Sequence, residues 1–254
     1  MYPLKSKKYK TGIALGGGGA RGYAHLGVLQ ALKEKGIEGD IFAGTSSGAI
    51  AGAFMASGMD PLEVFKIMKR NSIFDFAKMT IPSLGLMRLG HLGKYLGAHI
   101  QYENLEDLPK PLIIAVSDLF EGKVCYLKEG PLIPLVQASA SIPVLFSPVE
   151  LNKTLYADGG IFDNLPYMAI QDQCRYVYAI HISPVRPVNH LKNLAQIATR
   201  TFELSVNGHI EETRGKKLTI IAPKGVENYD ILDAKHADRL FEIGYEHTIK
   251  MNLD

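Results

Sequence analysis

Apolar runs and amphipathic segments alternate along the chain. Residues 11–15 form a short apolar run, and leucines recur at helical spacing through 23–35 before Gly36, a residue type that often ends helices. A second apolar run, 41–45, leads into a helix of small residues that ends near Gly58. The pattern therefore predicts strand–helix units joined by glycine-rich turns.

The alternation continues to the end of the chain. Further helices are predicted at 61–70, 131–141, 191–216 and 234–251, and further strands at 112–119, 124–128, around 149 and 155, and at 176–182 and 218–222. Such alternation is typical of a three-layer α/β/α sandwich with a mostly parallel central sheet, here with a hairpin at 112–128. We expect one domain, 11–254, after a basic N-terminal tail, 1–10.

Composition and charge narrow the classes of function. With 46% hydrophobic and 21% charged residues the chain is typical of a folded protein, and 28 basic against 26 acidic residues leave no electrostatic footprint for nucleic acid. The lysines at 5, 7, 8 and 10 predict a solvated tail, with transient contact at an anionic membrane surface as the alternative.

Cysteine usage and hydropathy point to a reducing compartment. Cys125 and Cys174 are isolated, and no apolar segment follows the N-terminal lysines, so we expect a cytoplasmic protein, with peripheral membrane association as the alternative. The uncharged stretches 41–59 and 131–149 contain several glycines and prolines, respectively, which favours buried core over a membrane span.

The first glycine-rich turn has two interpretations. Gly17–Gly22 matches G-x-G-x-x-G between a strand and a helix, as a dinucleotide-binding module would. That interpretation requires an acid at the far end of the second strand, whereas Glu38 and Asp40 precede the strand. No Lys-Ser/Thr pair follows the glycines, which argues against a P-loop. The dinucleotide hypothesis remains an alternative at this point.

The second glycine-rich turn carries a candidate nucleophile. Gly44-Thr45-Ser46-Ser47-Gly48 is G-x-S-x-G at a strand-to-helix junction, the pattern of a nucleophile elbow. Gly44 and Gly48 leave room for the sharp turn that exposes Ser46, while Ser47 is placed to cap the helix. Since parallel neighbouring strands bring their turns together, backbone N–H groups of the first loop can serve as an oxyanion hole for this serine.

The candidates for the general base are a histidine and an aspartate. The chain contains eight histidines: His25, His91, His99, His181, His190, His209, His236 and His247. Only His247 comes late enough for an α/β-hydrolase triad, and its terminal helix favours a surface or packing role. The alternative is Asp158, followed by Gly159 and Gly160, although Asp-Gly is also a common hairpin turn and Asp163 competes for the role.

These motifs together resemble the patatin-like phospholipases, in particular their compact bacterial members. The match consists of G-G-G-x-R-G at 17–22, G-x-S-x-G at 44–48 and D-G-G at 158–160, in that order. A fourth block at 138–148 is similar to the family's A-S-x-x-x-P-x-x-F-x-P segment. The resemblance spans 11 to about 166.

The resemblance implies a serine–aspartate dyad without histidine. Ser46 would form an acyl-enzyme with Asp158 as its base, and the N–H groups of Gly17, Gly18 and Gly19, with Arg21 nearby, would stabilise the oxyanion. The remaining motif glycines would shape the turns: Gly22, Gly44, Gly48, Gly159 and Gly160. We expect no metal and no cofactor, and a lipid or other acyl ester as substrate. Acyl transfer from the same intermediate is the enzymatic alternative.

One apolar segment has no clean periodicity. Residues 72–90 form a candidate flap, and eight large apolar side chains of 73–96 would line an acyl site, touch a bilayer or simply cap the core: Phe74, Phe76, Met79, Leu84, Leu86, Met87, Leu89 and Leu92. The sequence leaves open whether 72–96 is a lid.

Overall fold

The computed structural model describes residues 7–70, 78–79, 87–207, 217–232 and 234–253. Three sequence-based predictions fall wholly or partly outside these ranges. They are the first part of the basic tail, most of the candidate flap with Phe74, Phe76, Leu84 and Leu86, and the last residues of the helix predicted to reach 216.

Strands and helices alternate through the described residues. The strands are β1 (Tyr9–Leu15), β2 (Ile41–Gly44), β3 (Lys78–Met79), β4 (Met87–Arg88), β5 (Leu112–Asp118), β6 (Lys123–Leu127), β7 (Val149–Leu151), β8 (Thr154–Asp158), β9 (Cys174–Ile180) and β10 (Leu218–Ile221). The helices are α1 (Tyr23–Glu34), α2 (Ser47–Ala56), α3 (Pro61–Arg70), α4 (Gly90–His99), α5 (Leu132–Ser139), α6 (Met168–Gln171), α7 (Leu194–Asn207) and α8 (Ala237–Ile249).

The first strand extends into the predicted tail. β1 begins at Tyr9, whose N–H donates to Gln173 O at 3.0 Å. Lys7 Nζ donates to Asp172 O at 2.6 Å. The end of the basic segment is therefore attached to the sheet, where β1 and β9 pair along their whole length.

The central sheet is mixed. β10, β9, β1, β2 and β5 are parallel neighbours in that order, and β6, β7 and β8 join them by antiparallel pairing. The prediction of a mostly parallel sheet with one hairpin therefore understated the antiparallel part, because β7 and β8 form a second antiparallel unit. Pairing of strands three or four residues long depends on distant partners that local pattern does not reveal.

Two apolar clusters cover the two faces of the sheet. Ile13 and Leu15 of β1 belong to the larger cluster, together with α1, α2 and α8, whereas Ala14 belongs to the smaller one, with Ile170 of α6. Side chains of a strand alternate between faces, so one strand contributes to both clusters. Helices thus pack on both faces, in the predicted α/β arrangement.

The register around β5 brings two strand ends together. Ile114 pairs with Gly44 of β2 and also with Leu127 of β6, while Val116 pairs with Asp158 of β8 and also with Cys125 of β6. Because each edge of a strand accepts one neighbour at a given residue, β6 occupies one edge of β5, and β2 and β8 share the other. β2 and β8 run toward each other along that edge, and their carboxyl ends meet.

None of the helices in the described ranges combines the length and the apolar character that crossing a membrane requires.

Candidate active site

Ser46 lies in a sharp turn between β2 and α2. Its φ of 55° and ψ of −123° are rare for a residue with a side chain, and such conformations persist only where surrounding structure enforces them. A Cβ on Gly48 would lie 2.0 Å from Leu15 O, and one on Gly44 would lie 2.5 Å from Gly48 O. The two glycines are therefore required by close packing of the turn, as the sequence pattern predicted.

Two buried hydroxyl groups, those of Ser139 and Thr45, connect the turn to neighbouring elements. Ser46 N–H donates to Ser139 Oγ at 2.9 Å, and that hydroxyl donates to Ala115 O of β5 at 2.7 Å. Thr45 Oγ1 donates to the backbone oxygen of Asp163 at 2.9 Å. The nucleophile turn is thus tied to β5 and to the segment after β8. Sequence analysis had placed Ser139 in a family-like block but had given it no role.

Asp158 ends β8 opposite the Ser46 turn and is fully buried. Its Oδ1 accepts from Gly160 N–H at 2.8 Å, whereas Oδ2 has no partner of regular hydrogen-bond geometry within the described residues. Burial raises the pKa of this carboxyl to about 7, partly offset by the Gly160 N–H and by a hydrogen bond from the Ser46 side chain, both of which lower it. A carboxyl with this pKa accepts a proton at neutral pH far better than an ordinary aspartate.

The two glycines after Asp158, Gly159 and Gly160, are closely packed. A Cβ on Gly159 would lie 2.3 Å from Ala115 O, and one on Gly160 would lie 3.0 Å from Asn164 Oδ1. The backbone of the Asp-Gly-Gly sequence therefore packs directly against β5. Asp158 is the N-cap of the 3-10 helix that follows, Gly159–Ile161. The hairpin alternative, in which Asp-Gly joins two strands, is wrong for this segment.

Competing acids and histidines are held elsewhere. Asp163 accepts from Tyr126 Oη at 2.6 Å and from Leu165 N–H at 3.1 Å, so both of its carboxyl oxygens are engaged. His247 lies on α8, and burial together with nearby Lys224 lowers its pKa. Asp158, by contrast, lies close enough to Ser46 for the serine side chain to lower the pKa of its carboxyl.

The glycine loop after β1 is oriented by its own carbonyl groups. Gly16 O accepts from His25 Nε2 at 2.7 Å, Gly17 O accepts from Ser183 Oγ, and Gly18 O accepts from Arg21 N–H at 3.1 Å. In a trans peptide the N–H points opposite to the C=O of the preceding residue. Each of these contacts therefore also sets the direction of the next N–H group.

The three loop glycines differ in what their N–H groups do. Gly17 N–H donates to Asn164 O at 3.0 Å, so it is already used. Gly18 and Gly19 donate to no protein acceptor within the part of the chain that the structure describes, and they line one small cavity with Ser46. Of the three N–H groups named from the sequence, the Gly17 group is unsuited to bind an oxyanion, and two remain available.

The side chain of Arg21 points away from the loop and forms a buried ion pair. Its Nε donates to Tyr229 O at 2.8 Å and its Nη2 lies 3.0 Å from Glu203 of α7. Burial lowers its pKa, and Glu203 is the main group that raises it. Arg21 thus anchors the loop to α7 and to the segment around Tyr229.

Two buried histidines, His25 and His181, lie close to the glycine loop. His25 is fully buried, and desolvation lowers its pKa to about 4, so the ring is neutral at pH 7 and Nε2 carries the proton donated to Gly16 O. Burial likewise lowers the pKa of His181 to about 4, with nearby Arg21 adding to the effect. These rings shape the loop without adding charge to it.

A small apolar cavity adjoins Ser46. It measures about 40 Å³ and is lined by Ser46 and Gly19 together with apolar side chains of α2, α4, the segment after α5 and the Ile231 region. Leu89 and Leu92, from the apolar segment 73–96, belong to this lining. The described end of that segment therefore contributes to the site, while its middle lies outside the described residues.

Evidence for a nucleotide or metal site is lacking. The carboxyl end of β2 carries Ser46 where a ribose-binding acid would stand, and Asp40 instead accepts from Thr11 N–H at 2.8 Å before the strand begins. Among the described residues, no three His, Cys, Asp or Glu side chains are grouped as metal ligands would be.

The chain is similar to proteins of known family. The family model for patatin-like phospholipases matches residues 13–170. An uncharacterised NTE family protein of Mycobacterium bovis is 36% identical over 169 residues, which cover 65% of this chain and 46% of that protein. Lysophospholipase NTE1 of Candida glabrata is 26% identical over 265 residues, which cover 92% of this chain and 15% of that protein. The chain spans less than half the length of either relative.

A solved structure shares the fold. VipD from Legionella pneumophila aligns with a TM-score of 0.53 and 16% identity, over 96% of this chain and 67% of that chain. The range matched by the family model covers more than half of the chain, from the strand before the glycine loop to beyond Asp158. This chain therefore belongs to the patatin-like phospholipase family.

Proposed function

We propose that this protein hydrolyses carboxylic esters of lipids through an acyl-enzyme on Ser46, with Asp158 as the general base. Membership of the patatin-like phospholipase family supports lipid esters as the class of substrate. The observation that carries the dyad is the convergence of β2 and β8 on one edge of β5, which sets a strained serine against a buried carboxyl with a pKa near 7.

In the first step the Ser46 oxygen attacks the ester carbonyl carbon and its proton passes to the Asp158 carboxylate. The carbonyl oxygen becomes an oxyanion, to which Gly18 and Gly19 N–H groups donate. A pair of preorganised donors of this kind typically lowers the barrier by several kcal/mol, about 3 for each donor. Collapse of the intermediate then breaks the bond to the alcohol, which takes the proton back from Asp158.

In the second step Asp158 accepts a proton from water, and the resulting hydroxide attacks the acyl carbon. The oxyanion forms again in the same place, the acyl–oxygen bond to Ser46 breaks, and Asp158 returns its proton to the Ser46 oxygen. One base therefore serves both halves of the reaction, and the dyad ends in its starting state.

The lining of the cavity beside Ser46 favours an acyl chain over a polar group. Its side chains are aliphatic or aromatic apart from the two serines at the start of α2. An alcohol that intercepts the acyl-enzyme in place of water would give acyl transfer, the alternative that uses the same residues.

The test measures turnover of a soluble p-nitrophenyl butyrate by wild type, Ser46→Ala and Ser57→Ala. Ser57 is the control, because its hydroxyl donates to Phe54 O at 2.7 Å at the far end of α2 and does not line the cavity. We expect Ser46→Ala to lose activity and fluorophosphonate labelling, and Ser57→Ala to keep both. Full activity of Ser46→Ala would refute the proposal. Product formed only with added glycerol would identify a transferase.

A further inference from the structure

Asn164 carries a buried side-chain amide whose donors are unused. The residue is 3% exposed and lies shortly after the Asp-Gly-Gly sequence. Its Nδ2 makes no hydrogen bond within the described residues, although an amide nitrogen carries two N–H groups. A buried donor without an acceptor destabilises the folded state, so such a group beside a reaction site is a candidate for binding the substrate.

The amide is a near neighbour of both residues of the proposed dyad. A Cβ built on Gly17 would lie 2.3 Å from Asn164 Oδ1 and 3.2 Å from Ser46 Cβ. A Cβ built on Gly160 would lie 3.0 Å from the same amide oxygen and 3.1 Å from Asp158 Oδ1. Each pair of atoms is thus within 3.2 Å of one point, which places the amide beside the serine and beside the carboxyl.

Asn164 also shares a cavity with the two free N–H groups of the glycine loop. Gly18, Gly19, Ser46 and Asn164 all line this cavity, which measures about 10 Å³. That volume holds about one water-sized atom, such as a single oxygen. Ser46 and Gly19 also line the apolar cavity of about 40 Å³. The site therefore offers a space for one oxygen next to a space for apolar groups.

Glu203 lines the smaller cavity as well, but two arginines compensate its charge. One carboxylate oxygen lies 3.0 Å from Arg21 Nη2, and the other lies 3.6 Å from Arg200 Nη1. Both oxygens of Glu203 are therefore paired with cations. Negative charge that develops on an oxygen in this cavity meets a neutralised carboxylate on one side and N–H donors on the other.

Asp158 is the other acceptor close to the amide. Its Oδ1 accepts from Gly160 N–H, and its Oδ2 has no partner of regular hydrogen-bond geometry within the described residues. Asn164 Nδ2 leaves this oxygen unbonded, although the two side chains are neighbours. A donor that served to hold Asp158 would bond to it before substrate binds, whereas a donor for the reacting oxygen would not.

We propose that Asn164 is a third donor of the oxyanion hole. Its Nδ2–H donates to the carbonyl oxygen of the ester, together with the N–H groups of Gly18 and Gly19, as that oxygen becomes negatively charged. An oxyanion has three lone pairs and can accept all three donors. Asn164 neither gains nor loses a proton in either half of the reaction. This inference rests on the proposed function, because it requires an ester that reacts at Ser46.

The first test compares kcat and KM on p-nitrophenyl butyrate for wild type, Asn164→Leu and Thr199→Val. Leucine keeps the branch at Cγ but has no donor, so kcat should fall about 100- to 1,000-fold with little change in KM. Thr199 is the matched control, because it is 6% exposed, its hydroxyl has no partner within the described residues, and it lines neither cavity at Ser46. Wild-type kcat in Asn164→Leu would overturn the proposal.

The second test distinguishes a donor from a residue that only supports the fold. A trifluoromethyl ketone forms a tetrahedral adduct with an active-site serine, so its Ki should rise in Asn164→Leu by the same factor by which kcat/KM falls. Asn164→Ala adds no bulk beside the glycines and should show the same parallel loss if leucine impairs folding. A variant that loses activity but binds the ketone as tightly as wild type would contradict the assigned role.

The pH profile separates the oxyanion from Asp158 as the partner of the amide. Loss of an oxyanion donor lowers kcat/KM by one factor at every pH, whereas loss of a donor to Asp158 raises the apparent pKa of the base. A shift of the acid limb to higher pH in Asn164→Leu would therefore overturn the proposal. Full activity of Ser46→Ala would refute the proposed function and this inference together. An inactive Ser46→Ala with fully active Asn164 variants would refute this inference alone.

Discussion

The part of the chain that carries motifs and the part that carries none contribute differently to the candidate site. Residues 11–166 contain the glycine loop, Ser46 and Asp158. The later part contributes acceptors and donors that hold the glycine loop: Ile180 O, Ser183 Oγ, Tyr229 O and Ile231 O. Reacting groups require particular residue types, whereas the groups that aim them are mostly backbone oxygens. A sequence motif therefore identifies the residues that could react, but not the backbone groups that orient them.

The largest expected effect lies in the motif-bearing part. Asp158→Asn keeps the size and the Gly160 contact but removes the base, so kcat on a soluble ester should fall about 10³-fold or more. Asp163→Asn is the matched control, because that carboxyl hydrogen-bonds Tyr126 and is predicted to lose less than tenfold. An active Asp158→Asn enzyme would return attention to the histidines.

The same substitution should stabilise the fold. Burial raises the pKa of Asp158 to about 7, so between about pH 4 and pH 7 the native state keeps a proton that the unfolded chain releases, and stability falls as pH rises through that window. A shift of this size corresponds to at most about 4 kcal/mol above pH 7. Thermal unfolding at pH 8 should therefore occur at a higher temperature in Asp158→Asn than in wild type. An unchanged midpoint would mean that the carboxylate is solvated in solution.

The next effect tests the part without motifs. Ser183 donates to Gly17 O and so directs the Gly18 N–H. Ser183→Ala should lower kcat about 10- to 100-fold with little change in KM, because a misdirected donor weakens only the transition state. Ser57→Ala, which removes a hydroxyl bonded to Phe54 O at the end of α2, is the control. Equal kinetics in the two variants would mean that the later part only supports the fold.

The smallest expected effect is a pH dependence. The base must be ionised, so kcat/KM should fall about tenfold per pH unit below an apparent pKa near 7 and be level above it. Acid unfolding is a separate process, because the lowered pKa values of His25 and His181 make stability fall as pH drops from about 6.5 toward 4. Circular dichroism at each pH separates the two. If kcat/KM began to fall only near pH 4, the pKa of Asp158 would be that of an ordinary aspartate.

The sequence allowed candidate reacting residues to be named, but it did not reveal their surroundings. Ser46 and Asp158 were recognisable because a tight turn requires flanking glycines, and a Cβ on Gly44, Gly48 or Gly159 would lie within 3 Å of backbone atoms. Gly17, by contrast, gives no sign in the sequence that its N–H is bonded to Asn164 O. Which N–H groups stay free depends on residues more than 100 positions away, and no local pattern encodes that.

Helix content was also easier to predict than helix role. The sequence pattern predicted a helix at 191–216 but assigned it no role. In the structure its inner face reaches the site through Phe202 and Glu203, while its outer face is exposed and apolar. Periodicity shows that a helix has two faces, but only the tertiary arrangement shows what each face meets.

The meeting of β2 and β8 on one edge of β5 has a consequence for changes of chain length. Gly44 pairs with Ile114 and Asp158 pairs with Val116. The spacing of these two β5 residues, about 7 Å along the strand, therefore sets the distance between the ends of β2 and β8, next to which Ser46 and Asp158 lie. The length of β5 between Ile114 and Val116 therefore fixes the separation of the two strand ends. One residue inserted between Ile114 and Val116 would separate the pair by about 3.4 Å and turn the later side chains to the opposite face. The interval between Ile114 and Val116 therefore has a fixed length.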